Sequence, residues 1–335
     1  MLQAFILRAD GSVSNDTSPK SLFEALKDPG TRFWLDMNQP SDEDISLLDD
    51  VFGFHPLAIE DTIQYSQRPK IESYNHVGDA AQQGYFYMVI HGPDLATFKE
   101  NVRTKELDIF VSERYLVTIH DESMRSIEEV ISRAQSDAVR VLQPGIDLLL
   151  HNILDHLVDH YDPILDYFQE ELDSLEDEAL QSPTPDLLTR IGHKKRELLN
   201  LRRIIGPQRE VLSILTRGEV PFIRETTRIY LRDVQDHLVR AVEMVELYRD
   251  LITSARDIYM SSISNRLNQI MKTLTLFTVF AIPFTVATGF FGMNFHGIPW
   301  WDEWMSSHTA FWLSTALVFG SVGLLLAVFH WKKWI

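Results

Sequence analysis

The hydrophobic pattern changes character twice along the chain. In residues 1–140, short apolar runs alternate with turn signals, and five of these runs have the composition of β-strands: AFILRADG, RFWLDMNQP, GYFYMVIHGP, LDIFVSE and RYLVTIHDE. Between them, HPLAIEDTIQ and MRSIEEVISRA have helical spacing, and Ser41 with Asp44 is a capping signal before DISLLDDVF. The pattern predicts a cytoplasmic domain of the α+β or α/β class and leaves its strand order open.

The strand signals end near Gly145. Residues 141–220 are acidic and Leu-rich with helical spacing, and they are interrupted by Pro163 and by a turn signal, SPTPD. A return helix then follows through LLTRIGHKKRELLNLRRIIG. We predict an antiparallel helical hairpin that is kinked or broken at Pro163.

Residues 221–291 are predicted to form one long helix. The stretch from Phe222 to Ile282 contains no Gly and no Pro, and it continues without a break signal into an uncharged run. At 1.5 Å per residue such a helix is on the order of 100 Å long. Because this exceeds the thickness of a bilayer, the helix is expected to project from the membrane as a stalk.

Two C-terminal segments are long and apolar enough to cross a membrane. Thr273–Phe291 and Thr309–Phe329 carry no charged side chain, and each is close to the roughly 20 residues that a spanning helix needs. The loop 292–308 lacks Lys and Arg, whereas the other flanks contain Arg266, Lys272, Lys332 and Lys333. With no signal-peptide pattern at the start, we expect a protein of the plasma (inner) membrane with both termini cytoplasmic, residues 330–335 forming a basic tail.

The composition limits the possible metal ligands and binding partners. The chain has no cysteine, so any metal ligands must be oxygen or imidazole groups. The net charge of −17 argues against nucleic acid and anionic lipid headgroups as partners and is compatible with a soluble part that concentrates cations, although a solubilising surface alone would also explain it.

One face of the long helix is small or polar through the membrane span. Alternating steps of four and three residues follow a single helical face: Asp257, Ser261, Ser264, Asn268, Met271, Thr275, Thr278, Ile282, Thr285, Gly289 and Gly292. A hydroxyl-lined pore inside a lipid-facing exterior would produce this division, and so would a stripe that packs against the second span. Since two helices cannot enclose a water-filled path, the pore interpretation requires several copies of the chain.

The same face continues below the membrane with oxygen groups. Rings of Asp257 and Asn268 would attract cations and hydrogen-bond to their waters, and rings of Met271 and Ile282 would form apolar constrictions that close by dewetting. The alternative is a coiled-coil stalk in which a buried Asn fixes the register.

At the end of the first span, Gly292-Met293-Asn294 resembles the Gly-Met-Asn signature of the CorA magnesium transporter family, which occurs between two C-terminal spans. Further segments that are similar to the family are HPLAIEDTIQYSQRPKIESY, RDVQDH, SSISNRLNQIMKTLT and the terminal KKW. The resemblance covers nearly the whole chain. It implies a funnel-shaped homopentamer in the lipid bilayer that takes up Mg²⁺, with Co²⁺ or Ni²⁺ as further ions, and that is gated by cytoplasmic Mg²⁺ at subunit interfaces.

The resemblance also implies roles for single residues. Gly292, Met293 and Asn294 would form the external selectivity filter, where carboxamide oxygens hold a hydrated Mg²⁺ without stripping its waters. Leu274 would line the pore together with Asp257, Asn268, Met271 and Ile282. Asp233 would bind regulatory Mg²⁺ with a partner in the N-terminal domain, for which Asp94 is our choice.

The external loop departs from the family pattern. Many members have roughly Glu-x-Met-Pro-Glu after the signature, whereas this chain has His296-Gly297-Ile298-Pro299-Trp300 and displaces its acidic residues to Asp302 and Glu303. Gly-Ile-Pro near this point also resembles the ZntB-type zinc transporters, and imidazole is a zinc ligand. Magnesium is therefore our first expectation and zinc the alternative, with Asp302 and Glu303 attracting cations to the mouth.

Two other classes of function fit the sequence less well. An enzyme is disfavoured because no base or nucleophile is visibly placed beside the acidic helices. His156 and His160, one helical turn apart, would permit a metal clip, although a surface or interface role is favoured. A membrane-anchored coiled-coil scaffold is the main non-transport alternative, and it would need neither Gly-Met-Asn nor a small-residue face.

Overall fold

The computed structural model describes residues 1–64, 68–74, 84–220, 222–293, 303–304 and 308–334. Its contacts divide into two compact units, Met1–Ile258 and Tyr259–Ile335, and each is described by itself below.

A seven-stranded mixed sheet organises the first unit. Its order is β2-β1-β3-β7-β6-β5-β4, and all neighbouring pairs are antiparallel except β3 and β7, which are parallel. The strands are β1 Leu2–Leu7, β2 Val13–Ser14, β3 Arg32–Asn38, β4 Lys70–Tyr74, β5 Tyr85–Pro93, β6 Thr104–Val111 and β7 Tyr115–His120. The five runs predicted as strands form β1, β3, β5, β6 and β7. The edge strands β2 and β4 were not predicted, since one has two residues and the other has no apolar run.

Helices cover both faces of this sheet. One face, with alternate β3 residues Phe33, Leu35 and Met37, packs against α1 Pro19–Lys27, α2 Asp42–Asp50 and α3 Pro56–Ile63. The other face contacts α5 Ala138–Leu142, α6 Ile146–Asp159 and α8 Pro185–Arg217, and α4 Arg125–Ser136 packs on α6. The capping box of Ser41 and Asp44 opens α2 as the spacing predicted. Burial on both faces explains why the inner strands are nearly continuous apolar runs.

The second face of the sheet also contains a buried polar network. Trp34 Nε1 donates to Thr118 Oγ1 at 3.0 Å, and the Thr118 hydroxyl donates to Asp36 Oδ1 at 2.5 Å. His120 places Nε2 3.2 Å from the same Asp36 oxygen and Nδ1 2.7 Å from the Glu122 carbonyl. Burial lowers the pKa of the His120 imidazole, but the hydrogen bond and the charge of Asp36 outweigh burial, so its pKa is raised above 6.5.

Of the next three helices, the second and third form an antiparallel pair. The three helices are α6 Ile146–Asp159, α7 Asp162–Gln181 and α8 Pro185–Arg217. The helix is interrupted between α6 and α7. Pro163 lies in the first turn of α7, where its missing N–H is tolerated. Arg190 Nη1 of α8 binds Glu178 Oε2 of α7 at 2.7 Å, and Lys194 Nζ donates to Tyr167 at 2.9 Å.

The return helix is longer than the predicted segment. It continues through Pro207 to Arg217, although an internal proline costs about 3 kcal/mol. Gln208, Val211, Leu212 and Leu215 are buried after it. Their packing offsets the lost backbone hydrogen bond. This tertiary effect cannot be predicted from a helix-breaking residue in the sequence.

Two long helices follow among the described residues: α9 Glu225–Phe291 and α10 His308–Trp331. Both are long and apolar enough to cross a membrane by length and composition, with mean hydropathy of 1.8 and 2.0 in their most apolar windows. Pro283 lies inside α9 without ending it. The helix predicted between residues 221 and 291 is therefore continuous from Glu225.

We predict that His120 makes the stability of the first unit depend on pH. Because its pKa is raised on folding, the stabilisation is complete below the unfolded pKa of 6.5 and is lost as the pH rises through the higher folded value. The thermal unfolding midpoint of the wild type should fall more steeply between about pH 6 and pH 9 than that of His120→Gln. His193→Gln, at an exposed position, is the control and should keep the wild-type slope; equal slopes in all three proteins would contradict the assignment.

Candidate functional site

The small and polar face of α9 is exposed along its whole length. Every one of the eleven stepped positions from Asp257 to Gly292 is exposed in the chain, and so is Leu274. A different side of α9 packs on α10, with Phe280 against Phe329 and Phe284 against Phe319 at ring separations of 5.8 and 6.3 Å. The stripe is therefore not the surface that packs against the second span.

The contact between the two apolar helices leaves a cleft within the second unit. Phe284, Ala287, Thr288 and Phe291 of α9 line it, opposite α10 residues that include Ala310 and Val318. These α9 positions lie on one helical face. Thr285 and Gly289, which belong to the small and polar face, lie on a different side of the helix. Large apolar side chains thus hold the hairpin together, and the small side chains stay available.

Threonine hydroxyls give the exposed face a defined hydrogen-bonding character. Thr278 donates to the Leu274 carbonyl at 2.9 Å and Thr285 to the Ala281 carbonyl at 3.0 Å. Because each hydroxyl proton is committed to its own helix, the oxygen presents lone pairs outward. Acceptors of this kind suit the waters of a hydrated cation, whose protons point away from the ion.

The described part of the signature ends the helix. Gly292 N–H donates to the Thr288 carbonyl at 2.9 Å, and Met293 N–H to the Phe290 carbonyl at 3.3 Å. A Cβ on Gly292 would lie 2.8 Å from the Thr288 oxygen, closer than such contacts normally come, so glycine permits this helix end. Asn294 and Asp302 lie outside the described residues, while Glu303 is exposed.

The two predicted regulatory carboxylates differ in their surroundings. Asp233 is exposed on α9. Asp94 is buried, and its carboxylate accepts from Ala96 N–H at 3.1 Å, Thr97 Oγ1 at 2.8 Å and Lys105 Nζ at 3.2 Å. Burial raises the pKa of Asp94, but these partners outweigh burial and lower it. Asp94 is thus occupied by its own chain, and a cation would have to compete with Lys105.

The surroundings of Asp233 contain two groups that the sequence reasoning missed. His237 lies one helical turn after Asp233, and its Nδ1 is 3.2 Å from Asp159 Oδ1 at the end of α6. The spacing of Asp233 and His237 within RDVQDH was the available signal. Asp159 could not be added without knowing that α6 packs beside α9.

The histidine pair considered as a metal clip lies against α4. His156 Nδ1 and His160 Nε2 are 3.8 and 3.7 Å from Glu129 Oε2. Within the described ranges, no three or more His, Asp or Glu side chains form a group that could hold a metal ion.

Comparison with known proteins assigns the family. The family described as CorA-like Mg²⁺ transporter protein matches residues 31–333. The chain belongs to the CorA family. The resemblance inferred from Gly-Met-Asn and the scattered segments is thereby confirmed, and CorA-family proteins are metal ion transporters.

Relatives match over most of their lengths. YfjQ of Bacillus subtilis is 36% identical over 303 residues, which cover 90% of this chain and 89% of YfjQ. The cobalt/magnesium transport protein CorA of Thermotoga maritima is 30% identical over 315 residues, 92% of this chain and 85% of that protein.

Solved structures agree with the fold. The complete CorA magnesium transporter from Methanocaldococcus jannaschii superposes with a TM-score of 0.80 at 24% identity, covering 100% of this chain and 99% of that one. The ZntB cytoplasmic domain from Vibrio parahaemolyticus gives 0.59 at 15% identity, covering 78% of this chain and 98% of that one. The predicted fold class, a sheet-and-helix domain followed by a long helix and two C-terminal apolar helices, is confirmed.

We predict that Gly292→Ala destabilises the end of α9. The new methyl group must move against the Thr288 carbonyl, and overpacking of this kind costs about 1–3 kcal/mol. Gly323→Ala in α10 is the matched control, because its Cβ meets nothing within 4 Å in this chain. The thermal unfolding midpoint in detergent should fall for Gly292→Ala and stay near wild type for Gly323→Ala; equal midpoints would show that the helix end accommodates the methyl group.

Proposed function

We propose that this CorA-family chain is one subunit of a homopentameric channel for Mg²⁺ uptake, with the face from Asp257 to Gly292 lining a central axis. One observation carries the proposal: the small and polar face of α9 stays exposed while the opposite aromatic side packs on α10. A protein that merely anchors a coiled coil has no need for such a face through the bilayer. Lipid is a poor partner for it, and copies of the same face around an axis are a good one.

The stripe supplies the parts that a cation pathway needs. Rings of Asp257 would concentrate cations at the cytoplasmic end, and Ser261, Ser264, Asn268, Thr275, Thr278 and Thr285 would offer oxygens to the waters of the ion. Met271, Leu274 and Ile282, between about half and three-fifths exposed in the single chain, would form the apolar constrictions. Gly289 and Gly292 would let the helices approach closely near the outer end.

Selectivity would reside at the external end of the pathway. Mg²⁺ gives up its water reluctantly, so neutral carboxamides of Asn294 suit a site that holds the hydrated ion without trapping it. Gly292 and Met293 would complete this filter, and Asp302 and Glu303 would raise the local cation concentration. Basic residues flanking the spans favour cytoplasmic termini in the plasma (inner) membrane.

Zinc remains the second candidate ion, together with Co²⁺ or Ni²⁺. His296 and the Gly-Ile-Pro sequence favour zinc, whereas the likeness to the ZntB domain concerns the fold alone. The relative from Thermotoga maritima carries cobalt and magnesium in its name, which supports magnesium as the first choice.

Regulation would occur where cytoplasmic domains meet. Asp233 is exposed on α9 one helical turn before His237, which contacts Asp159, and a neighbouring subunit would contribute Asp94. Mg²⁺ bridging these acidic groups would stabilise the closed arrangement, because like charges repel when the ion leaves. The ion shifts the equilibrium only as far as it binds the closed state more tightly.

The ion and the filter are tested together by flux into liposomes. Wild-type protein should pass Mg²⁺ in preference to Zn²⁺ without a pH gradient. Asn294→Ala should lower the preference for Mg²⁺ about tenfold or more, because a hydrogen bond of about 1 kcal/mol is lost in every subunit. The control Asn265→Ala, at an exposed α9 position outside the stripe, should behave as wild type. Unchanged ion preference in Asn294→Ala would refute the filter, and Zn²⁺-selective flux that depends on a pH gradient would favour the second candidate.

The regulatory assignment is tested by Asp233→Lys. A fixed cation would replace part of the bridging charge, so closure should depend less on cytoplasmic Mg²⁺, seen as a shallower dose dependence of current and of protease protection. Asp250→Lys, at another exposed carboxylate of α9, is the control. Wild-type dose dependence of Asp233→Lys in both assays would remove Asp233 from the sensor.

A further inference from the structure

The start of α9 is held by two arginines that lie over two glycines. The Arg224 guanidinium covers Gly145, where a Cβ would lie 2.5 Å from Nη2, and Arg228 covers Gly218, where a Cβ would lie 2.6 Å from Nη1. Both glycines have positive φ, +131° and +84°. Only glycine satisfies the backbone conformation and the close approach together at these positions.

A buried carboxylate fixes the first of these contacts. Asp147, whose side chain is only 4% exposed, accepts from Arg224 Nη2 at 2.6 Å, Arg224 Nε at 2.9 Å, Arg224 N–H at 3.2 Å and Thr227 Oγ1 at 2.7 Å. Arg224 Nη2 also donates to the Pro144 carbonyl at 2.6 Å. Burial raises the pKa of Asp147, but the hydrogen bonds from Arg224 and Thr227 outweigh it and lower the pKa, so the carboxylate is ionised at neutral pH. We call this set of Gly145, Asp147, Arg224 and Thr227 the α9 clamp.

The clamp is one of three side-chain contacts described here between α6 and the start of α9. Asp147 meets Arg224, the His151 ring lies 5.5 Å from the Tyr230 ring, and Asp159 meets His237. The sequence separations of these pairs are 77, 79 and 78 residues. Because the separation stays within two residues, the two helices run parallel from the first turn of α6 to its last residue.

The two ends of this helix pair have different chemistry. At the far end, Asp159 and His237 stand beside the exposed Asp233, which is the proposed cation site. At the near end, the clamp joins α9 to the loop that caps α6, and α6 packs on β5 and β7. Because Asp147 holds the start of α9 to α6, a change at the Asp159 and His237 end would move α9 about a fixed start and would not let the helix slide along α6.

We propose that the α9 clamp is the positioning element that transmits cation occupancy at the Asp159 and His237 end into the pore helix. This inference rests on the proposed function and deepens its regulation. None of the clamp residues touches the ion. Their role is to keep α9 in register with α6 when the interface empties or fills.

The test uses the full chain in detergent and in liposomes, with Asp147→Asn and Thr227→Val as near-isosteric changes that loosen the clamp. The control is Glu246→Gln, which breaks a different ion pair of α9. In that pair Glu246 lies 2.9 Å from Arg202 of α8, and both side chains are nearly half exposed. Hydrogen exchange of residues 225–232 reports whether the clamp has opened. The Mg²⁺ concentration that gives half-maximal protease protection and half-maximal inhibition of flux reports coupling.

We expect Asp147→Asn to speed exchange at residues 225–232 and to raise both half-maximal Mg²⁺ concentrations about fivefold, the shift that a coupling free energy of about 1 kcal/mol produces. Thr227→Val should do the same to a smaller extent, and it carries the test if Asp147→Asn fails to assemble. Ion preference should not change in either variant. Glu246→Gln should match wild type in every assay.

Faster exchange with unchanged half-maximal concentrations would overturn the proposal, because the clamp would then be a fold contact without coupling. Exchange as slow as in wild type would overturn it as well, because α9 would then be held by other contacts. If the wild-type chain passes no Mg²⁺, the proposed function is overturned. The Mg²⁺ dependence of protease protection in the same samples would still show whether the clamp couples the cation site to α9.

Discussion

The continuity of α9 is the constraint on which the other features depend. Backbone hydrogen bonds run from Glu225 to Phe291, and they fix the direction of each side chain relative to the one four residues before it. Asp257 and Gly292 can share one face only because no break intervenes between them. Pro283 removes one donor within this run, yet the helix does not end there. A break at that point would have separated Thr285, Gly289 and Gly292 from the earlier positions of the same face.

Packing against α10 divides the membrane part of α9 into two surfaces with opposite tasks. Phenylalanines supply the contact between the two helices, where area and dispersion matter most. Threonine and glycine predominate on the exposed side, where the Thr278 and Thr285 hydroxyls donate to carbonyls of their own helix. Under the proposed assembly around a shared axis, this exposed side would become a column of acceptor oxygens. The two sides of the helix thus differ in size and in hydrogen-bonding character.

The first unit, Met1–Ile258, shows how buried polar groups set the position of neighbouring elements. Asp36 and His120 join β3 to β7, the one parallel pair of the sheet, and Asp147 joins α6 to the chain entering α9. Apolar packing alone tolerates small shifts in the register of two elements. Loss of the partners of a buried carboxylate, in contrast, strongly destabilises the folded protein. Such pairs therefore specify register. In α6 and α9 the contacts of Asp147 with Arg224 and of Asp159 with His237 hold the two helices in register.

The sequence by itself determined the features that are repeated or local. These are the strand runs of the inner sheet, the capping box at Ser41, the two spans, the small-residue face of α9 and the family signature at Gly292, because each is encoded by residues close together in the chain. Only the tertiary structure decided the parallel pairing of β3 with β7, the passage of α8 through Pro207, the occupation of Asp94 by Lys105, and the meeting of Asp159 with His237. Each of these depends on contacts between distant segments, whose packing energies exceed local preferences of about 1–3 kcal/mol and leave no periodic trace in the sequence.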